Sequence, residues 1–358
     1  QQLTYQAQLD AKVEIIKDCL HRIGRIENLP DFQITPAPNP WQYRTRAQWQ
    51  YDAIRRKLGY FESGSRRVCD VAECAVLAPQ LQQTLSVLRE RMHDGSLSED
   101  ARDFRAVAGD EGVSIAPPVR GTSPTVREGA APTTGSAPVV EVTRTINGET
   151  YHLNAESFFQ ANDDLLPKLI DAALSEASGE TAVELYCGVG LFTVPLARRF
   201  ARVIAIEGDA AATRFARENL ATAGLTNADV LNQDVAGWLE ENVECAGNDG
   251  ALDRSHRDLQ RSEARTPIQS GVAAAAVQSP PDFLLLDPPR TGAESRVIAG
   301  ILNSKPKHIS YVSCDPATLA RDLRKLIAGG YTLHSVAAFD MFPQTHHVET
   351  VVHLLCGF

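Results

Sequence analysis

"TAVELYCGVGLFTVPLA", residues 181–197, is the stretch that decides the fold. A short apolar run enters a pair of glycines, and an apolar helical segment leaves them. Such a turn lets the backbone approach a ligand and sets a helix N-terminus at one edge of a sheet. The same edge recurs downstream. "RVIAIEG" (202–208), "ADVLNQD" (228–234), "DFLLLDPP" (282–289) and "HISYVSC" (308–314) have strand length, with helical stretches such as "AAATRFARENLATAG" between them. Strand and helix in alternation predict a parallel sheet with helices on both faces. The last two runs, "YTLHSVAAFDMFP" and "ETVVHLLCGF", leave no room for a helix between them, so they must pair antiparallel. Residues 157–358 therefore read as an α/β, Rossmann-like domain with a seven-stranded, mostly parallel sheet.

Outside that region the chain changes character. At 358 residues it is too long for one ordinary core. Residues 1–92 read as a smaller α+β domain, with a helix over 6–23, strands over 41–72 turning at "KLGY" and "ESGS", and a helix in "CAVLAPQLQQTLSVLRERM". From 93 to 138 the sequence turns polar around "APPVRGTSPTVREGAAPTTGSAP" and reads as a disordered insert or linker. A hairpin around Asn147-Gly148, residues 139–156, is expected to complete the smaller domain. Residues 246–280 read as a second, flexible insert.

Composition excludes several classes. No apolar run is long enough to span a membrane, and the N-terminus lacks the pattern of a signal peptide. The chain starts at Gln, not Met, and so reads as a fragment or processed form. Seven scattered cysteines do not make a disulfide framework and fit a reducing cytoplasm. A net charge of -10 argues against a general nucleic-acid coat. The charge is uneven, however: between Trp41 and Val68 stand Arg44, Arg46, Arg55, Arg56, Lys57, Arg66 and Arg67 against Asp52 and Glu62. That stretch is a candidate RNA surface with Trp41, Tyr43 or Trp49 for stacking; the other reading is a solvated strand face with aromatics in the core.

In an open α/β sheet a nucleotide ligand sits at the carboxyl ends of the strands. Gly188 closes the first strand, Glu207 ends the second where a carboxylate suits ribose hydroxyls, Asp234 ends the third near an adenine amine, and Asp287 ends the fourth. Each acid alone is as well explained as a helix N-cap. A nicotinamide dinucleotide would also use an acid after the second strand, but the terminal antiparallel pair points to S-adenosylmethionine. Cys314 ends the fifth strand, and Asp315 and Pro316 start a helix after it. The helix N-terminus favours thiolate while Asp315 opposes it. The plain alternative is a buried structural thiol. In that helix Leu319, Leu323, Leu326 and Ile327 form the buried stripe, leaving Arg321, Arg324 and Lys325 solvated.

A thiolate beside a methyl donor suggests chemistry at a pyrimidine: attack at C6 makes C5 nucleophilic, and a base must then remove the C5 proton. Glu349 is placed for that, with His346 and His347 as alternatives. Asp-Pro-Pro followed by Arg290 lacks the aromatic that amine methyltransferases place there.

The stretches "SFFQAN" (157–162), "ELYCGVGLFTVPLA" (184–197), "IEGDAAA" (206–212), "LLLDPPRTG" (284–292), "YVSCDPATLARDL" (311–323) and "DMFPQTHHVETVVHL" (340–354) resemble the RNA uracil-5 methyltransferases, in order and across the catalytic region. The resemblance implies Cys314 as nucleophile, Glu349 as base, and cofactor contacts at Gln160, Tyr186, Glu207, Asp287 and Asp234. Leu191 departs from the Asn of many members. It implies an RNA-binding N-terminal part and an RNA substrate, 23S rRNA before the tRNA T-loop, because Cys74 resembles the fourth ligand of a [4Fe-4S] cluster found in several members. Cys69 adds no zinc site. A cytosine-5 enzyme would carry Pro-Cys after the fourth strand, and an inactive RNA-binding protein would lack Cys314 or Glu349. A cytoplasmic monomer is expected.

Overall fold

The computed structural model describes residues 3–119, 140–246 and 279–357. The core of the first expected insert and nearly all of the second lie outside the described residues.

The chain opens with helix α1 (Tyr5–Arg22), capped by Thr4, and the short strand β1 (Ile34–Thr35). Then come β2 (Arg46–Asp52), β3 (Lys57–Phe61), β4 (Val68–Asp70), α2 (Pro79–Asp94), β5 (Asp103–Ala108) and β6 (Val113–Ala116). A hairpin, β7 (Val142–Ile146) and β8 (Glu149–Leu153), leads to α3 (Leu166–Ala173). The remainder alternates: β9 (Thr181–Leu185), α4 (Thr193–Ala197), β10 (Arg202–Glu207), α5 (Ala210–Thr222), β11 (Ala228–Asn232), α6 (Val235–Ala246), β12 (Phe283–Leu286), α7 (Ser295–Ser304), β13 (His308–Ser313) and α8 (Pro316–Ala328), closing with β14 (Tyr331–Phe339) and β15 (Glu349–Cys356).

The main sheet runs β1-β14-β15-β13-β12-β9-β10-β11. β9 to β13 are mutually parallel, and β15 runs antiparallel to both β13 and β14, as the missing crossover requires. The expected seven strands are present and β1 adds an eighth. Because strand side chains alternate, Phe283 and Leu285 enter one apolar layer while Leu284 and Leu286 enter the other. Burial on both faces is why these strands read as continuous apolar runs.

Three expectations about the N-terminal part are corrected. Helix α1 packs on the main domain: Ile16 and Leu20 share an apolar layer with Leu319 and Leu323 of α8, and β1 pairs with β14. The insert expected from 93 does not begin there. β5 lies at the centre of a second sheet, β4-β3-β2-β5-β6, with Phe104, Ala106, Val113 and Ile115 buried. The hairpin does not join that sheet; Val142, Ile146, Tyr151 and Leu153 pack into the main core, with Asn147 and Gly148 both at positive φ, as a two-residue hairpin turn needs.

The second sheet has α2 on one face. "KLGY" is strand β3 and not a turn; the turn falls one step earlier, where Arg56 takes a positive φ. Trp49 is fully buried in this core, and Tyr43 is buried with its hydroxyl donating to Pro343 O (2.9 Å), so neither is free to stack on a base. Trp41 is partly exposed. Arg55, Arg56, Arg66 and Arg67 are exposed at the turns.

Candidate active site

Strand register builds the site. The last pair between β13 and β15 is Ser313 with Thr350, so the next position outward sets Cys314 against Glu349. Directly opposed residues of antiparallel strands lie about 5 Å apart at Cα. Asp287 follows β12, the other neighbour of β13. One cavity of about 580 Å³ brings together Gln160, Tyr186, Gly188, Glu207, Asp287, Cys314 and Glu349, with Leu191 and His347 also on its wall. That volume suits a nucleotide-sized ligand.

The glycine turn is shaped for such a ligand. Tyr186, Gly188 and Gly190 all have positive φ, and Tyr186 is the position where a side chain makes that conformation strained. Gly188 N donates to Glu207 Oε2 (2.9 Å) and Asp209 N to Glu207 Oε1 (2.8 Å). Two backbone donors thus fix the carboxylate at the cavity wall while leaving it lone pairs for further hydroxyls. Behind the turn, Glu184 accepts from Thr193 Oγ1 (2.6 Å), and burial pushes its carboxyl up to about 8.

The chemistry end is acidic and its carboxyls are buried. Glu349 is 1% exposed, neither carboxylate oxygen has a hydrogen-bond partner, and burial pushes its pKa well up, with Asp287 adding to the effect. Burial pushes Asp287 up to about 7 against a hydrogen bond from Gln160. The Cys314 thiol rises to about 12 through burial, then Glu349 and Asp287, with Arg290 opposing. The helix N-terminus does not rescue it, because Asp315 Oδ1 already accepts from Ala317 N and Thr318 N (both 3.0 Å). A buried carboxyl without a hydrogen-bond partner thus faces a thiol across adjacent strands, and burial favours the neutral form of both.

Comparison with known proteins identifies the family. Residues 139–241 and 278–356 match the family described as tRNA (Uracil-5-)-methyltransferase, about half of the chain. A 23S rRNA (uracil(1939)-C(5))-methyltransferase RlmD of Klebsiella pneumoniae is 30% identical over 87% of this chain and 70% of its own. The chain belongs to the RNA uracil-5 methyltransferase family. An uncharacterized RNA methyltransferase of Thermosynechococcus vestitus is 28% identical, over 99% of this chain and 80% of its own. The tRNA (uracil-54, C5)-methyltransferase of Pyrococcus abyssi, solved with S-adenosyl-L-homocysteine, shares the fold: TM-score 0.68 at 22% identity, over 99% of this chain and 84% of that one.

Within this methyltransferase some expected residues stand elsewhere. Asp234 does not line the cavity; it is exposed, and its Oδ2 accepts from Gly237 N (2.9 Å), capping α6. His346 is exposed, its ring tilted against that of His347 with centroids 3.9 Å apart. His347 lines the cavity, touches Arg290, and is pushed down to about 4 by burial and that guanidinium. Cys74 is half-buried with Tyr60 Oη 4.0 Å away and Cys69 is exposed. Among the described residues no three potential ligands gather, so a four-iron cluster would need ligands beyond them. Arg321 is not simply solvated: it donates to Thr291 O and Ala293 O and pairs with buried Asp322, bracing the loop after Asp287. No described helix is long and apolar enough to cross a membrane.

Arg44, read from the sequence as part of a basic surface, reaches the cavity wall from just before β2, and Phe158, which the sequence did not single out, is 62% exposed at the mouth with the Arg46 guanidinium 5.4 Å from its ring. An apolar side chain left bare beside an arginine becomes visible only with burial in hand.

Proposed function

We propose that this protein methylates C5 of a specific unpaired uridine in 23S rRNA, with Cys314 as nucleophile and Glu349 as base. The observation that carries the reading is the opposition of Cys314 and the orphaned Glu349 carboxyl in one cavity. The donor set suits S-adenosylmethionine: Glu207 for the ribose hydroxyls, the open turn at Gly188, and Gln160, Tyr186 and Asp287 along the wall. When bound, that cofactor supplies a methyl electrophile on a positively charged sulfur beside these acids.

Cys314 releases its thiol proton to solvent, its Sγ adds to C6 of the ring, and the C5=C6 electron pair moves toward O4. C5 then takes the methyl group. Glu349, ionised to its carboxylate once the cavity is filled, removes the C5 proton, the pair returns to C5=C6, and the thiolate is expelled. The half-buried Cys314 is a thiol at rest, so covalent attack waits until the cavity is filled and its charges are balanced. A uridine inside a duplex could not reach it. The family and the RlmD relative support an RNA substrate of this kind.

The test is covalent trapping with 5-fluorouridine-substituted 23S rRNA, in which C5 carries no removable proton, together with mapping of methylated uridines in 23S rRNA and tRNA transcripts. A Cys314-dependent adduct and a 23S product are expected. An equal adduct with Cys314→Ala ends the nucleophile assignment, and a product in the tRNA alone ends the substrate assignment.

A further inference from the structure

The segment between β14 and β15 has no regular structure, yet from 340 to 344 its backbone is tied from outside itself. Asp340 N donates to Thr35 O (2.9 Å), Asn162 Nδ2 donates to Met341 O (3.3 Å), Lys12 Nζ to Phe342 O (3.1 Å) and Tyr43 Oη to Pro343 O (2.9 Å). Gln344 N donates to Gln8 Oε1 (3.1 Å), and Gln8 Nε2 donates back to Gln344 Oε1 (3.0 Å). That reciprocal grip holds Gln344 at φ +66, a conformation costly for a residue with a side chain. Lys12 also pairs with Asp340, their side chains 3% and 0% exposed. Gln8 and Lys12 lie one turn apart on α1 and so share a face.

The far end of this segment is the site. Phe342 and His347 line the cavity, and Glu349 begins β15. Glu349 itself has no hydrogen bond to hold its carboxyl, so its placement depends on where the preceding backbone enters the strand. We propose that Gln8 and Lys12 are positioning residues, which set the 340–348 segment so that Glu349 and His347 stand at the cavity, making the N-terminal helix part of the catalytic apparatus. The inference rests on Glu349 acting as the base.

The test uses the full chain with whichever of two unmodified transcripts, 23S rRNA or tRNA, the wild-type protein methylates. Gln8→Ala and Lys12→Met are compared with Gln8→Glu, which keeps an acceptor for Gln344 N. Gln8→Ala is expected to lower kcat about tenfold with KM for RNA nearly unchanged, because a small displacement of a reacting group slows the step without weakening binding. The covalent protein–RNA species should accumulate at steady state, since elimination waits on the base. Gln8→Glu should restore most of kcat. Lys12→Met should show the same signature more strongly, with a lower melting temperature. Wild-type kcat in Gln8→Ala, or loss of kcat without accumulation of the adduct, overturns the proposal; α1 then only supports the fold. Cys314→Ala in the same assay separates the two levels: if it still forms the adduct, the underlying reading fails first.

Discussion

His308 and His353 make a pH-sensitive joint behind the site. Both lie on the sheet face that carries Cys314 and Glu349, at the opposite end of the same two strands. His308 Nε2 is 2.8 Å from His353 Nδ1, and His353 Nε2 is 2.8 Å from Ala172 O. The carbonyl can only accept, so His353 carries its proton on Nε2 and its Nδ1 accepts from His308. Protonation would set two N–H groups against each other. Burial, then His353, push His308 down to about 4, and burial also lowers His353. Above the ordinary imidazole value near 6.5 both are neutral in either state, and the stabilisation is fully present. As pH falls toward 4 the unfolded chain binds protons that the folded chain refuses, and stability is lost. For His308 alone the loss between pH 8 and pH 5 is about 2 kcal/mol. Glu184 and Asp287, raised by burial, work in the opposite direction over the same range, so the wild-type profile alone conceals the joint. The readout is therefore a difference: urea midpoints at pH 8, 6.5 and 5 for wild type and His308→Phe, which keeps an aromatic ring beside Phe283. The variant starts lower, having stranded His353 Nδ1, but its midpoint should fall less on acidification, by roughly 1 M urea between pH 8 and 5. Parallel profiles would refute the reasoning.

Glu349→Gln should lower kcat by about 10²–10⁴-fold, the usual worth of a positioned base, and leave a persistent covalent RNA adduct on a denaturing gel; turnover near wild type would remove Glu349 from the mechanism. Glu207→Ala removes a charged acceptor from the cavity wall and should weaken S-adenosylmethionine binding about 10–100-fold by calorimetry, whereas Asp234→Ala, which only uncaps α6, should leave that affinity nearly unchanged. Glu184→Gln should be close to neutral in stability near pH 4.5, the ordinary carboxyl value. It should gain on wild type as pH rises toward 9, because a carboxyl whose folded value is raised to about 8 loses its contribution through that range; equal urea midpoint shifts at both pH values would show Glu184 to be ionised when folded.

The sequence displayed the main sheet because parallel strands buried on both faces must be apolar throughout, and it displayed the last strand pair because a parallel return needs more chain than is present. Register set the backbone: once β13 and β15 pair, position 314 stands opposite position 349. What it concealed shares a physical origin. β5 and β6 bury small residues, Ala106, Ala108 and Val113, between exposed charges, and their mean composition resembles that of a linker. Trp49 and Tyr43 stand among arginines, so proximity in sequence suggested an aromatic-basic surface, whereas alternation along β2 puts buried Trp49 on the face opposite Arg46. Asp234 is a third carboxylate at a strand end, and nothing local separates a cofactor contact from the cap of the helix that follows.

Lys12 is the exception, since a signal for it was present. Leu9, Ile16 and Leu20 mark the buried stripe of α1, and Lys12 falls on that stripe one turn after Leu9. An ammonium placed there must find an anion, because its burial alone is prohibitive and burial does lower its pKa. The sequence could state that demand but not its answer, Asp340, which lies 328 residues away. Long-range polar pairs carry no periodicity, so the stripe revealed which face of α1 is buried while the contact that connects it to the Glu349 segment emerged only from the fold. The N-terminal helix, read from the sequence as part of the smaller domain, thereby becomes the element whose one buried charge reaches the segment that ends at Glu349.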